Sequence, residues 1–280
     1  MRERILADLD VLHQLPSPSP IVGRLLATLG REDVGLAEVE QIVEGDPVIA
    51  AKIVSAANAA AWATHAPTTT IRSALLRLGL VRVRRLALVV SLYSTTAQRK
   101  AADEFWRHSL GVAHVAEALA GATEAVVDAE AALLAGLVHD MGRLVLATRH
   151  PEQTRAVAEL AVGEALSLVE SERRLLGIDH GEVGAHLARH WGFPPPVVVA
   201  VRFHHERDPY ALAAEPTVAL VGAADALASQ HAEWRLGAAT VEDAGPALAV
   251  LGLEDEDAVL ALVDGALTEA RAAVSALAGA

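Results

Sequence analysis

The sequence predicts an all-α protein built of two helical lobes. Three observations carry that expectation. Apolar residues recur three and four positions apart, as in Ile21, Leu25, Leu26 and Leu29, or Leu75, Leu76, Leu78, Val81, Val83 and Leu86. Strict alternation of apolar and polar residues, the mark of a half-buried strand, is absent. Alanine, which loses no side-chain entropy in a helix, is abundant, whereas only three Phe and two Tyr are available for cross-strand pairing.

Taken in order, the chain opens on Met1–Asp10, a mixed charged and apolar segment unlike the basic start and apolar middle of a secretory signal. Pro16, Pro18 and Pro20 form an early loop. Pro67 is followed by Thr68, Thr69 and Thr70, whose hydroxyls can cap a helix over Ile71–Leu78. Between Leu92 and Asp103 the apolar pattern weakens into Ser94, Thr95, Thr96, Gln98, Arg99 and Lys100, and a lobe boundary is expected there. The reading gives an N-terminal lobe over 1–96, a second helical lobe over 97–234 and a C-terminal extension over 235–280. Val197–Val201 resembles a strand, but Pro194, Pro195 and Pro196 before it also suit a helix's first turn, so helix is favoured. Beyond Trp234 the acidic stretch Glu254–Asp257 and an Ala-rich helix are read as packing and solubility. No repeat of 20–50 residues suggests a solenoid.

Composition excludes several function classes. The 280 residues are 52% apolar with mean hydropathy +0.33, enough for a large core. Twenty-three basic against 36 acidic residues leave a charge of −13, which opposes a surface that tracks nucleic-acid phosphates and gives no polybasic membrane signal. The longest apolar stretches, such as Leu86–Val90 and Ala129–Val138 with its internal Glu130, are too short for membrane insertion, and a cytoplasmic protein is expected. With no cysteine, disulfides, thiolate catalysis and Cys-type zinc sites are excluded, leaving His, Asp and Glu as metal ligands. No GxxxxGK[ST], GxGxxG or GxSxG motif is present.

The chemistry therefore rests on polar residues set in apolar sequence. In Leu133–Leu146, LLAGLVHDMGRLVL, the adjacent His139 and Asp140 interrupt a buried pattern. A buried carboxylate loses several kcal/mol of hydration, roughly, unless it is neutralised, paired or bound to a metal. The dipeptide alone fits equally well a pair that satisfies backbone groups at a helix end near Gly142. Other positions tilt the balance. Glu104 and His108 in DEFWRHS share a helix face; His180 opens a new helical pattern after Gly177; His204 and His205 follow the valine run; Asp225 sits among Val221, Ala223, Ala224 and Ala226. Neutral imidazoles and carboxylates suit iron, manganese, zinc and similar ions, and a set of this size can hold more than one. His186 and His190, four apart, lack the glutamate of HExxH and are read as structural, with His190 placed to cap a helix end. His13, His65, His114, His150 and His231 are read as surface or satisfied core residues, and Arg82, Arg84 and Arg85 as a solvated face.

The order His108, His139–Asp140, Asp225 resembles the metal-binding signature of the HD phosphohydrolase superfamily, and His180 with His204–His205 resembles positions of its HD-GYP phosphodiesterase branch. The front half is similar to HDOD domains, HD-related output domains of bacterial signalling. QLPSPSPIVGRLL, IVEGDPVIAAKIVSAANAAAW and TIRSALLRLGLVRVRRLAL match their three characteristic stretches, with Asp46–Pro47, Asn58 and Leu78–Gly79 in place. The resemblance covers about Val11 to Asp225.

It implies metal ligands at Glu104, His108, His139, Asp140, His180, His204, His205 and Asp225, holding one or two ions of Fe, Mn, Zn or Ni. HDOD membership implies a signalling module acting through protein partners or a small phosphorylated ligand. The full ligand set implies, as the alternative, metal-assisted phosphoester hydrolysis on a cyclic dinucleotide or nucleotide, with Asp140 bridging two ions and Arg143 clamping phosphate. Two departures stand out. The family's HDxGK reads His139–Asp140–Met141–Gly142–Arg143, arginine replacing lysine but still able to bind phosphate through its planar fork. The xxDGxGYP that follows HHE in the HD-GYP branch is replaced by Arg207–Asp208–Pro209–Tyr210, so the loop that helps recognise a cyclic dinucleotide is not matched.

Overall fold

The computed structural model describes residues 1–11, 25, 28, 31, 33–44, 50, 53, 57, 70–80, 83, 99–190, 193–236 and 241–278. Among them all regular structure is helical and no strand occurs. The helices are α1 (Arg2–Val11), α2 (Leu36–Glu44), α3 (Arg99–Ala122), α4 (Ala129–Val138), α5 (Met141–Arg149), α6 (Pro151–Glu164), α7 (Leu168–Leu176), α8 (His180–His190), α9 (Pro195–Phe203), α10 (Pro209–Ala214), α11 (Pro216–Gln230), α12 (Gly245–Val250) and α13 (Glu256–Ala278). The valine run is helical, its prolines occupying the first turn of α9, where a missing N–H is harmless.

The chain forms two compact units, Met1–Leu12 with Arg107–Leu267, and His13–Trp106 with Thr268–Ala280. This division differs from the expected 1–96, 97–234 and 235–280. Thr96 and Ala97 lie outside the described residues, and helix already begins at Arg99, since the run from Arg99 to Asp103 contains good helix formers and no breaker.

In the second unit the described residues form an aliphatic cluster. Val39, Ile42 and Val43 of α2 pack with Leu25, Ile53, Ala57 and Val83, and with Ala74, Leu75 and Leu78 of the helical stretch 71–80. Thr70 caps that stretch, its hydroxyl accepting the Ser73 N–H at 3.2 Å, as the threonine run predicts. Asp46–Pro47, Asn58, His13, His65, Arg82, Arg84 and Arg85 lie outside the described residues, as does the His190 side chain.

The first unit is a helical bundle centred on α4, whose residues Ala131–Val138 are buried all round. α12 packs on α11, and α9 lies against α4, α8 and α11. α1 docks through buried Ile5 and Leu9, with Arg2 paired to Glu182 and Asp8 3.3 Å from buried His150. Ala131–Arg149 is long and apolar enough for a membrane span by composition, yet 72% of it is buried in the fold and it bends at His139–Asp140. Two close approaches set the site. A Cβ on Gly142 would stand 1.9 Å from the His180 carbonyl oxygen, so only glycine lets α5 lie this near α8. A Cβ on Gly222 would stand 2.6 Å from the His204 carbonyl oxygen, so α11 meets the end of α9 by the same means.

Candidate metal centre

Five elements of the first unit deliver the cluster. His108 projects from the middle of α3, and His139 and Asp140 form the turn between α4 and α5. His180 is the first residue of α8, His204 and His205 follow α9, and Asp225 comes from α11. Local chemistry fixes each one. Gly177 adopts φ +73 to end α7, and Asp179 then accepts the Glu182 N–H at 2.8 Å, starting α8 at His180. Asp179 is itself held by Arg173 at 2.7 Å and Arg202 at 3.3 Å.

Each imidazole donates its Nδ1–H away from the cluster. The acceptors are the Trp234 carbonyl for His108 (2.8 Å), the Gly136 carbonyl for His139 (2.7 Å) and the Val201 carbonyl for His204 (2.9 Å). His180 donates to the Glu172 carboxylate (2.7 Å) and His205 to Glu242 (3.0 Å). A backbone carbonyl can only accept, so the neutral rings of His108, His139 and His204 hold their proton at Nδ1 and turn a bare Nε2 inward. The carboxylates select the same tautomer for His180 and His205.

The Nε2 atoms meet one another: His108 to His139 at 3.2 Å, His180 to His204 at 3.3 Å and His180 to His205 at 2.9 Å. Asp140 lies between the two groups. Its Oδ2 is 3.7 Å from both His108 and His139, and its Oδ1 is 3.2 Å from His180 and 3.7 Å from His204. Asp225 stands 3.5 Å from His108. Asp140 occupies the position before α5 yet makes no side-chain cap bond, and its Oδ1 is buried without a hydrogen-bond partner. The helix-end reading of the His139–Asp140 pair therefore fails for the carboxylate.

Lone pairs packed against lone pairs and an orphaned carboxylate oxygen repel unless a cation stands among them. Ligand atoms about 2.1 Å from one ion lie about 3.0–3.4 Å apart between octahedral and tetrahedral angles, close to the separations found. Asp140, His180, His204 and His205 form one group of possible ligands, and His108, His139 and Asp140 another. The residues fit divalent metal.

Electrostatics agrees. Burial pushes His108 and His139 below the usual imidazole pKa, His204 down to about 4 and His205 to about 3, which keeps their lone pairs free. Burial also disfavours a charged His180, but the Glu172 carboxylate outweighs it and raises that pKa. For Asp140 burial is overcome by Arg143 and the surrounding imidazoles, and its pKa falls well below the ordinary carboxylate value. Arg143 donates to Asp140 Oδ2 at 2.8 Å and to the Leu236 carbonyl at 3.3 Å, at the edge of a cavity of about 40 Å3 also lined by Asp225, Ser229 and Glu242.

Of the residues the sequence singled out, the structure brings together His108, His139, Asp140, Arg143, His180, His204, His205 and Asp225. Glu104 is exposed on α3 and belongs to none of the convergent groups among the described residues. The sequence reading overlooked Glu172, which is buried and receives both the His180 ring N–H and its backbone N–H, the latter at 2.9 Å. It also overlooked the segment from Trp234 onward, where the Trp234 and Leu236 carbonyls and Glu242 serve the site. Glu242 joins His205 and Asp225 as a third group of possible ligands.

Residues 15–207 match the model of the HDOD domain. The chain belongs to the HDOD family. A crystal structure of an HDOD domain protein of unknown function from Geobacter sulfurreducens is similar over 94% of this chain and 93% of that one, at 28% identity and TM-score 0.76. An uncharacterised protein of Treponema pallidum is 26% identical over 201 residues, 70% of this HDOD chain and 38% of its own length. A ribonuclease Y of Aquifex aeolicus is 36% identical over 122 residues, 44% of the chain. The chain thus spans only 38% and 16% of these two curated relatives.

Proposed function

We propose that this HDOD protein is a cytoplasmic bacterial signalling component that binds divalent metal at the centre around Asp140 and responds there to a small phosphorylated ligand, passing the state on to signalling proteins. The observation that carries the reading is the convergence of five imidazole Nε2 atoms, their Nδ1 atoms tied to acceptors outside the cluster, around one buried carboxylate. Iron, manganese, zinc and nickel all suit that donor set. Asp140 bridges the groups, Asp225 adds a carboxylate beside His108, and Arg143 stands at the cavity edge with a planar fork that matches phosphate.

A second reading, phosphoester hydrolysis at the same centre, is favoured by Asp140 lying between two imidazole groups. Divalent ions bound there would acidify a coordinated water and offset charge on phosphate. Arg143 would orient the phosphate, and the fixed Nδ1 tautomers would spare the histidines from rearranging. The ribonuclease Y relative extends the chemistry to phosphodiesters, but a charge of −13 sets this chain against a long nucleic acid. The cavity of about 40 Å3 beside the cluster has room for a few waters or a phosphate group.

Metal analysis of the purified chain tests the first reading. Stoichiometric metal that disappears in Asp140→Ala supports it, and a protein that cannot be loaded refutes it. Turnover of small phosphodiesters, abolished by Asp140→Ala, separates the enzyme from the binding module.

A further inference from the structure

The two groups of imidazoles are not backed alike. On the Oδ2 side of Asp140, His108 and His139 donate to neutral amide carbonyls. The carboxylate oxygen they face is already engaged by the Arg143 guanidinium at 2.8 Å. On the Oδ1 side, two of the three imidazoles, His180 and His205, donate to carboxylates, and Oδ1 carries no hydrogen bond. A carboxylate behind an imidazole makes its other nitrogen a stronger donor, whereas a guanidinium on a shared carboxylate repels a cation and competes for the oxygen.

Resting on the metal-centre reading above, we infer that the two positions flanking Asp140 bind metal unequally: the His180–His204–His205 position fills first and tightly, the His108–His139–Asp225 position second and more weakly. Glu172 is the positioning residue that sets the difference. It is buried, fixes the His180 ring through one bond of 2.7 Å and its backbone through another of 2.9 Å, and touches no residue of the Oδ2 group by hydrogen bond. Glu242 holds the His205 ring from a half-buried position, where water and its ion pair with Arg207 weaken its field, so Glu172 is the stronger of the two carboxylates. The asymmetry gives the centre two states, one ion or two, within the range of free metal that separates the two affinities.

The test is a titration of the stripped, full-length chain with Mn2+ alone, followed by calorimetry and by electron paramagnetic resonance. Two steps at least tenfold apart are expected, with an isolated Mn2+ signal at one equivalent and a spin-coupled pair at two. Glu172→Gln, which keeps the acceptor and removes the charge, should weaken the tight step about 10–100-fold and leave the weak step in place. His108→Ala should remove the weak step alone. A single step, or equal weakening of both steps by Glu172→Gln, overturns the inference while leaving the metal centre standing. A chain that takes up no Mn2+ overturns the centre itself. Should Glu172→Gln fail to fold, Glu242→Gln reads the same asymmetry from the accessible side, with a smaller loss confined to the tight step.

Discussion

The two compact units bury different materials. The described core of the second unit is aliphatic: Leu25, Val39, Val43, Ile53 and Leu75 are closed to solvent, and its ion pairs, Arg31 with Asp33 and Glu38 and Arg72 with Glu40, involve exposed arginines. The first unit buries His108, His139, Asp140, Glu172, Asp179, His180 and His204. Aliphatic burial stabilises by removing area from water and tolerates change in proportion to the volume lost. A buried polar cluster works by satisfaction: complete, it defines one arrangement, and incomplete, it destabilises. The first unit is therefore the one whose integrity should depend on an added cation.

Paired substitutions break the comparison most forcefully. Leu75→Ala in the second unit should lower unfolding free energy by about 2–5 kcal/mol in a denaturant titration and leave metal stoichiometry unchanged. Gly142→Ala adds a single carbon, but it lands 1.9 Å from the His180 carbonyl oxygen and must push α5 off α8. It should cost at least about 1–3 kcal/mol and, unlike Leu75→Ala, deplete bound metal, because His180 and Asp140 sit on the two helices forced apart. Equal metal content in the two variants would dissolve the distinction between the units.

The pH dependence of the stripped protein sharpens it. Burial holds His204 to about 4 and His205 to about 3, against the usual imidazole value of 6.5. Between those values the unfolded chain binds more protons than the folded one at these two rings, so their contribution to stability is full above about pH 6.5 and is lost as pH drops toward 4 and 3, while His180, with its raised pKa, contributes in the opposite direction. The loss by pH 5.5 is on the order of 1 kcal/mol per histidine. Bound metal competes with the same protons, so loading should flatten the curve between pH 6.5 and 5. Thermal melts of stripped and loaded chain across that range check both slopes, and parallel curves would mean that the imidazoles do not bind the ion.

What the sequence reveals of each region follows from contrast with its neighbours. His139–Asp140 is conspicuous because Leu133–Val138 and Leu144–Leu146 around it are apolar, and Asp225 stands out among alanines for the same reason. Glu172 is invisible: it sits in SERR on an amphipathic helix where a charge is the ordinary occupant, and only the fold turns it inward onto His180. Glu242 is hidden differently, lying in a connection that composition marks as solvent-facing, while its partners are 37 and 35 residues away in sequence, beyond the reach of any helical period. The helical character of the chain is legible from spacing, whereas α9 is strand-like by composition and is read as helix only through the prolines before it. The division into units is not legible, since two of its three cuts fall inside unbroken helices, α3 and α13.

The smallest expected effect separates periodicity from convergence. Glu104 lies four residues before His108, and helical spacing makes the two neighbours, about 5–6 Å apart at Cβ. Sharing a face does not aim two side chains at one point, however, and Glu104 is exposed while His108 is buried. The further carboxylate within ligand reach is Glu242, grouped with His205 and Asp225. Glu104→Gln should therefore leave metal stoichiometry and both binding steps within twofold of the parent, whereas Glu242→Gln should weaken the tight step. If Glu104→Gln instead removes an equivalent of metal, the carboxylate joins the centre on loading, and α3 contributes a ligand that the metal-free geometry holds in solvent.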